Sequence, residues 1–241
     1  MITLYIGYDS SNYGQELAFE VCKRSVLRFN KDINIIKLNK KDLQDKRIYL
    51  RTNDSDASTE FTYTRFLIPF LNSYEGYAIF CDSDFIWRCN LDNIKQYFSK
   101  LKAVSCVQHE YKKCNSNLKM DGLKQEWYPR KNWSSLMIFN CSHPDCKNLT
   151  INSIANQTPK WLHRMEWTTD NNIGSIPKTY NYLLGYYDDD EEPKAVHLTD
   201  GGPWHNDWYN NKIFSDNKYE IEWIRYLNDY EKDDLQIFLN K

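Results

Sequence analysis

The chain has 241 residues, of which 41% are hydrophobic and 27% charged, a composition typical of one large globular domain and unlike that of disordered or fibrous proteins. Its 31 basic and 33 acidic residues give a net charge of −2, so no overall basic field favours nucleic acid or an anionic membrane as partner. Seven scattered cysteines, the lack of a signal-peptide pattern and the lack of any apolar run of about 20 residues predict a cytoplasmic protein without a transmembrane segment.

The first half of the chain alternates between strand and helix patterns. In chain order the predicted elements are a strand at 2–8, a helix at 15–28, a strand at 33–38, a polar loop with a short helix at 39–60, a helix at 61–71, a strand at 77–81, an amphipathic helix at 91–100 and a strand at 103–107. Such alternation predicts an α/β fold with a mostly parallel central sheet and helices on both faces.

After about residue 108 the pattern loosens. We predict a polar segment at 109–131, a strand at 133–140, a turn and helix within 141–160, an aromatic and polar segment at 161–187, an acidic loop at 188–193, a short strand at 195–198 and a helix from Tyr219 onward. No repeat, linker or compositional shift marks a domain boundary, so a single domain is expected.

Two carboxylates, Asp82 and Asp84, interrupt the apolar run IFCDSDFIW at 79–87. They follow a predicted buried strand, and ligands of parallel α/β sheets bind beyond the carboxyl ends of the strands. Side chains two positions apart on an extended backbone lie on the same side, so both carboxylates can bind one cation. Mg²⁺ and Mn²⁺ are held in this way together with phosphate oxygens. A simple turn with an Asx cap explains the same spacing, so the wider sequence must decide.

Four stretches in order resemble nucleotide-sugar-dependent glycosyltransferases of the GT-A fold, and among them the family-8-like group. They are residues 6–9 (IGYD) with the helix that follows, 63–69 (YTRFLIP), 78–84 (AIFCDSD) and 197–204 (HLTDGGPW). The last two resemble the family's apolar strand with a D-x-D metal motif and its H-x-x-G-x-x-K-P-W signature. The resemblance extends over most of the chain.

The resemblance implies a retaining transferase that uses a nucleotide-sugar donor, foremost a UDP-sugar, with Mn²⁺ or Mg²⁺ as cofactor. Its implied metal ligands are Asp82, Asp84 and His197, and its implied donor contacts are Tyr8, Asp9, Arg65, Ser83, Gly201, Gly202 and Trp204. Residues 1–107 would then form the nucleotide-binding half, and 108–241 the acceptor half with the C-terminal helices.

The sequence departs from the family's pattern around the phosphates. Asp200 stands where a glycine is usual, and Gly202 replaces the lysine that normally meets the diphosphate. The backbone N–H groups of Gly201 and Gly202 would supply a small anion nest, or Arg65 would supply the charge. Lys23 and Arg24 are further candidates for the missing cation.

The acceptor side shows weaker similarity. Residues 132–137 (NWSSLM) resemble a strand beside the donor sugar in which Ser135 replaces a glycine, and this predicts a narrower sugar pocket. Residues 167–171 (WTTDN) resemble a shortened D-Q-x-x-(L/F)-N stretch, and Asn181 ends a similar later pattern. Asp170 is the first candidate for contacting the donor sugar or acceptor hydroxyl, and Glu166 the second. Either residue is alternatively a surface acid on a loop.

Metal-dependent transfer of a sugar to an acceptor hydroxyl is therefore the leading interpretation. A non-catalytic nucleotide-sugar or carbohydrate-binding module on the same fold is the alternative that the altered phosphate-binding positions leave open. A phosphohydrolase with Asp82 as nucleophile is a third, although Ile86 stands where the D-x-D phosphatases carry threonine or valine. The acceptor, whether glycan, lipid, protein or modified nucleic-acid base, is not specified by the sequence.

Overall fold

A computed structural model describes residues 1–11, 13–52, 57–110, 129–187, 192–205 and 217–239. The acidic loop predicted at 188–193 lies mostly outside these residues. No helix in the described part of the chain combines the length and apolarity needed to cross a membrane.

Nine strands are found in the described residues: β1 (Ile2–Tyr8), β2 (Ile33–Asn39), β3 (Tyr77–Cys81), β4 (Phe85–Trp87), β5 (Val104–Cys106), β6 (Leu136–Asn140), β7 (Ile173–Ser175), β8 (Tyr182–Leu183) and β9 (Ala195–His197). The α-helices there are α1 (Tyr13–Phe29), α2 (Lys40–Asp45), α3 (Ile68–Leu71), α4 (Ile151–Asn156), α5 (Pro159–His163) and α6 (Lys218–Leu239). Short 3₁₀-helices cover Thr64–Leu67, Leu91–Tyr97, Trp133–Ser135, Pro144–Asn148, Asp170–Asn172 and Lys178–Tyr180.

Six strands form a central sheet in the order β2-β1-β3-β6-β5-β7. β1 runs parallel to β2 and β3, and β7 runs parallel to β5, whereas β6 is antiparallel to both of its neighbours. The mostly parallel α/β sheet predicted from the sequence is therefore confirmed. The carboxyl ends of five strands share one rim with the start of β6, and this common edge is called the rim below.

Both faces of the central sheet are covered. Along β3, Ala78 and Phe80 lie in the core on one face, and Ile79 and Cys81 lie in the core on the other. This two-sided burial explains why β3 appears in the sequence as a continuous apolar run rather than an alternating one.

A second, three-stranded sheet in the order β4-β9-β8 was not predicted. β4 is antiparallel to β9, and β8 is parallel to β9. The backbone N–H of Trp87 donates to the hydroxyl of Ser25 on α1 at 2.9 Å. Trp223 of α6 packs in the same buried cluster as Ile86 and Val196. The small sheet thus packs against both α1 and α6.

Several predicted helices are shorter or tighter than expected. The helix predicted at 61–71 is a 3₁₀-turn followed by the four-residue α3, with Pro69 near its start, where a missing N–H is tolerated. The helix predicted at 91–100 is a 3₁₀-helix that ends at Tyr97. The strand predicted from residue 133 begins only at Leu136, because Asn132 adopts a left-handed conformation with φ of 64° and a 3₁₀-turn follows it.

Candidate metal centre and donor site

Asp82, Ser83 and Asp84 join the two sheets. β3 of the central sheet ends at Cys81, and β4 of the small sheet begins at Phe85. The run IFCDSDFIW therefore consists of two buried strands joined at the rim by residues 82–84, which are called the acidic link below. This explains why an apolar segment carries two charges in its middle.

The pairing of β4 with β9 brings His197 to this link. Phe85 is the register partner of His197, and the two rings stack with centroids 4.5 Å apart. The Leu198 N–H donates to the carbonyl of Asp84 at 3.0 Å. A histidine distant in sequence is therefore fixed beside the acidic pair by main-chain pairing and ring packing.

Asp82, Asp84 and His197 each offer one ligand atom, and these three atoms lie within 4.8 Å of one another. His197 Nε2 is 3.2 Å from Asp84 Oδ2. Neighbouring ligands of an ion with bond lengths near 2.1 Å lie about 3 Å apart, so this separation suits two ligands of one divalent cation. Two carboxylates and a neutral imidazole are a donor set that Mn²⁺ accepts, so the three residues fit the metal that the sequence predicted.

Arg65 lies behind Asp82 rather than on the surface. Its Nη1 is 2.8 Å from Asp82 Oδ1 and donates to the Ser134 carbonyl at 2.9 Å, and its Nε donates to the Phe61 carbonyl at 3.1 Å. The guanidinium also packs over the rings of Phe61 and Phe80. These contacts hold the Asp82 carboxylate in place, and the phosphate contact assigned to Arg65 stays a prediction.

The end of β1 forms another part of the rim. Asp9 is buried, and its two carboxylate oxygens accept the N–H groups of Ser11 at 2.9 Å and Glu60 at 3.2 Å. Tyr8 is also buried, with its ring below the Lys37 ammonium at 4.0 Å. Asp9 therefore shapes the turn after β1, and donor contacts for Tyr8 and Asp9 stay predictions.

The contacts of the loop after β9 account for the two departures from the family's pattern. Asp200 accepts the hydroxyl of Tyr186 at 2.9 Å from each carboxylate oxygen. At Gly202, a Cβ would lie 2.3 Å from the ring of Trp204, so a lysine there would require the indole to move. Gly201 has φ of 113° and donates its N–H to the Leu198 carbonyl at 3.0 Å, which engages one of the two N–H groups expected in an anion nest.

Lys23 and Arg24, the other candidates for the missing cation, line a groove of about 580 Å³ between α1 and α6, together with Tyr226 and Asp229. Lys23 also pairs with Glu20 at 3.2 Å. Their placement beside α6 gives no support to a phosphate contact at the rim.

Asp170 and Glu166, the predicted catalytic residues, have different surroundings. Asp170 lies in the 3₁₀-turn that enters β7, at the amino end of a strand whose carboxyl end belongs to the rim. Its side chain is 83% exposed and pairs with Arg130 at 2.6 Å. Glu166 is exposed and lies 3.8 Å from the ammonium of Lys160. A catalytic role for either residue stays a prediction that rests on the resemblance.

His109 is a rim residue that the sequence reasoning missed. It follows β5, is buried, and its Nδ1 lies 2.5 Å from the Tyr187 hydroxyl. Burial, and secondly the proximity of His197, lower the pKa of His109 to about 3. The available signal was a histidine just beyond a predicted buried strand, but it lies where the sequence pattern becomes irregular.

The fold is shared with known glycosyltransferases. The glycosyltransferase GlyE of Streptococcus pneumoniae TIGR4 matches with a TM-score of 0.57 and 14% identity over 97% of this chain, which spans 65% of GlyE. Mouse xyloside xylosyltransferase 1 matches with a TM-score of 0.52 and 10% identity, over 82% of this chain and 97% of that one. The galactosyltransferase LgtC, solved with donor and acceptor sugar analogs, matches with a TM-score of 0.51 and 12% identity, over 95% and 96%. The protein therefore has the GT-A glycosyltransferase fold.

A sequence relative shows the family. Protein CDI of Arabidopsis thaliana is 37% identical over 236 residues, which cover 95% of this chain and 87% of the relative. The chain belongs to the family of Protein CDI. No protein-family model matches it.

Proposed function

We propose that this protein is a divalent-metal-dependent glycosyltransferase that moves a sugar from a nucleoside-diphosphate sugar, foremost a UDP-sugar, to an acceptor hydroxyl. The observation that carries the proposal is the approach of Asp82, Asp84 and His197 to within 4.8 Å at the junction of the two sheets. The GT-A fold supports it, and the similar structures include a galactosyltransferase and a xylosyltransferase.

In this proposal the three side chains hold Mn²⁺ or Mg²⁺. An ion held there would supply positive charge to stabilise the diphosphate leaving group. Arg65 orients the Asp82 carboxylate from behind, and the stacked ring of Phe85 covers one side of His197. Retention of the anomeric configuration is proposed on the family-8 resemblance alone.

The donor site is proposed to lie along the rim, with residues 1–107 contributing its nucleotide side and 108–241 its acceptor side. Tyr8, Asp9 and Ser83 are the proposed contacts before and within the acidic link. Gly201, Gly202 and Trp204 are the proposed contacts in the loop after β9, and Asp170 and Glu166 remain proposed for the acceptor side.

A thermal-shift panel tests donor binding. UDP, GDP and ADP are added separately with and without Mn²⁺, and a ligand at 100 times its Kd stabilises the folded state by about 2.7 kcal/mol. We expect UDP to raise the melting temperature in the presence of Mn²⁺ much more than in its absence. If none of the diphosphates gives a Mn²⁺-dependent shift, the donor-site proposal fails.

A second assay separates catalysis from binding. The packing of Trp204 on Gly202, in place of the expected lysine, is the observation that favours a non-catalytic binding module. Release of nucleoside diphosphate from a panel of nucleotide sugars with Mn²⁺ is expected of a transferase, whereas such a module would bind the donor and release nothing. Hydrolysis of p-nitrophenyl phosphate that is lost in Asp82→Asn would instead favour the phosphohydrolase.

A further inference from the structure

His197 ends a series of buried hydrogen bonds that begins at the backbone of Asn132. The Ser135 hydroxyl donates to the Asn132 carbonyl at 2.7 Å, and Asn181 Nδ2 donates to Ser135 Oγ at 2.8 Å. His197 Nδ1 then lies 2.9 Å from Asn181 Oδ1. Ser135, Asn181 and His197 are only 3%, 0% and 2% exposed, so water competes little for these groups.

The chemistry of each group sets the direction of the series. A carbonyl oxygen only accepts, so the single hydroxyl proton of Ser135 is directed to Asn132 and its lone pair faces Asn181. The Asn181 amide therefore presents its nitrogen to Ser135 and its oxygen to His197. Because that oxygen also only accepts, Nδ1 of His197 must carry a hydrogen.

The position of that hydrogen decides which ring nitrogen can bind a metal. In a neutral imidazole with hydrogen on Nδ1, the lone pair lies on Nε2. Nε2 is the nitrogen 3.2 Å from Asp84 Oδ2. When the ring is neutral, the free lone pair of His197 is thus directed toward the acidic link.

We propose that Ser135 and Asn181 are positioning residues of the proposed metal centre, and that they fix His197 with its hydrogen on Nδ1 and its Nε2 lone pair toward Asp84. The proposal rests on the proposed metal-binding function. Hydrogen-bond partners of this kind orient metal-binding histidines in proteins generally, and their loss lowers metal affinity by about 10- to 100-fold.

Ser135 also contacts a second predicted ligand residue. Its carbonyl accepts the N–H of Asp82 at 3.0 Å, so one residue sets the backbone of Asp82 and, through Asn181, the ring of His197. The serine that replaces a glycine of the resembling family therefore contributes its hydroxyl to the support of His197. This contact gives Ser135 a role that differs from the predicted narrowing of the sugar pocket.

The preceding residue supplies a matched control. Ser134 is also buried, but its hydroxyl lies 3.0 Å from Nδ1 of His163 rather than in the series that reaches His197. Ser134→Ala and Ser135→Ala each remove one buried hydroxyl at adjacent positions. Only the second change removes an acceptor from Asn181.

The direct test is the tautomer of His197 in the full chain without metal. The protein has five histidines, so long-range ¹H–¹⁵N NMR spectra of ¹⁵N-histidine-labelled protein at about pH 8, where a typical imidazole is neutral, can be assigned with His197→Gln. We expect Nδ1–H for His197 in the wild type and in Ser134→Ala. We expect a mixture of tautomers in Ser135→Ala and Asn181→Leu. Asn181→Asp keeps an oxygen acceptor opposite Nδ1 and should retain Nδ1–H.

The second readout is Mn²⁺ affinity, measured from the EPR signal of free Mn²⁺. We expect a loss of about 10- to 100-fold in Asn181→Leu and a smaller loss in Ser135→Ala, with Ser134→Ala unchanged. If Asn181→Leu does not fold, Ser135→Thr, which keeps a hydroxyl, is compared with Ser135→Ala.

The outcomes separate the two proposals. Nδ1–H in the wild type with no Mn²⁺ binding overturns the proposed metal function. The positioning role of Ser135 and Asn181 is overturned if the wild type binds Mn²⁺ but carries the hydrogen of His197 on Nε2. It is also overturned if Ser135→Ala and Asn181→Leu bind Mn²⁺ as tightly as the wild type does.

Discussion

The carboxylates of the acidic link between the two sheets differ in burial from Asp170 and Glu166, the two acids that precede β7. Asp82 and Asp84 are mostly buried, with side chains 15% and 22% exposed, and contact the buried Arg65 and His197. Asp170 and Glu166 are exposed and form pairs with Arg130 and Lys160.

This contrast separates a site organised by the fold from residues placed by similarity alone. Burying charged and polar groups is unfavourable unless each gains a partner, so a buried arginine, histidine and asparagine around one acidic link require many matched contacts. An exposed acid with a surface partner requires few. The burial and contacts of the acidic link therefore support a role in binding. The catalytic role predicted for Asp170 and Glu166 has to be tested by activity measurements.

The largest expected effect is on stability and comes from the two arginine pairs. Arg65→Met should lower the free energy of unfolding by about 3–5 kcal/mol, because it removes one partner of a buried ion pair. Arg130→Met should cost about 1 kcal/mol or less, because Asp170 is exposed. Urea denaturation of both variants measures the difference. Equal losses would show that the two pairs do not differ as their burial indicates.

The next effect is on metal affinity. Asp84→Asn should weaken Mn²⁺ binding by at least about 100-fold, or about 2.7 kcal/mol, because it removes the charge of a proposed ligand. Asp170→Asn should leave Mn²⁺ binding unchanged and should lower nucleotide release only if the predicted catalytic role is correct. EPR titration with Mn²⁺ and a nucleotide-release assay distinguish these effects. Wild-type Mn²⁺ affinity in Asp84→Asn would remove the metal centre from consideration.

A smaller, pH-dependent effect is expected at the rim from His109. Burial lowers the pKa of His109 from 6.5 to about 3, so between these values the unfolded chain binds a proton that the folded chain does not. The free energy of unfolding therefore falls as the pH falls below 6.5, by up to about 1.4 kcal/mol per pH unit from this residue.

His109→Gln should remove this contribution and make the decline less steep, while His163, whose pKa is also lowered to about 3 by desolvation, still contributes. Urea denaturation at a series of pH values between about 7 and 5 measures the slope. A variant whose stability declines as steeply as that of the wild type would show that His109 does not stay neutral in the folded protein.

The smallest effect is expected for Glu166. Glu166→Gln should change the free energy of unfolding by less than about 0.5 kcal/mol, because its pair with Lys160 is exposed. Lys160→Gln breaks the same pair and is the control. A fall in nucleotide release in Glu166→Gln but not in Lys160→Gln would support a catalytic role, and equal release in both would leave Glu166 a surface acid.

The parts of the fold that the sequence predicts are those with local signals. β1 and β3 are buried apolar runs, and β2 is a half-buried apolar run at the edge of the sheet. α1 places Ala18, Cys22 and Val26 at helical spacing on one buried side. β7 and β8 span three and two residues, which is too few to show the alternation of apolar and polar residues that marks a strand. The antiparallel direction of β6 and the pairing of β4 with β9 depend on residues far apart in the chain.

The candidate site divides in the same way. The acidic pair and His197 were predicted as ligands from motifs, and the structure brings them together. The contacts of Arg65 with Asp82 and of Asn181 with His197 could not be predicted, because they depend on how separate elements pack. The packing of the Trp204 ring on Gly202 could not be predicted either. The sequence shows that a lysine is absent at this position, but it does not show which side chain occupies the space.

The packing of β9 against α6 also links the position of His197 to that helix. Val196 and Leu198, on either side of His197, are buried in one cluster with Trp223 and Tyr226 of α6, and the ring of Trp204 lies 5.7 Å from that of Trp223. The acidic link lies in the first half of the chain, whereas α6 follows β9 and packs in the cluster that buries the two neighbours of His197. The position of His197 therefore depends on a helix that comes after it in the chain, so a change that loosens the packing of α6 is expected to disturb the approach of His197 to Asp84.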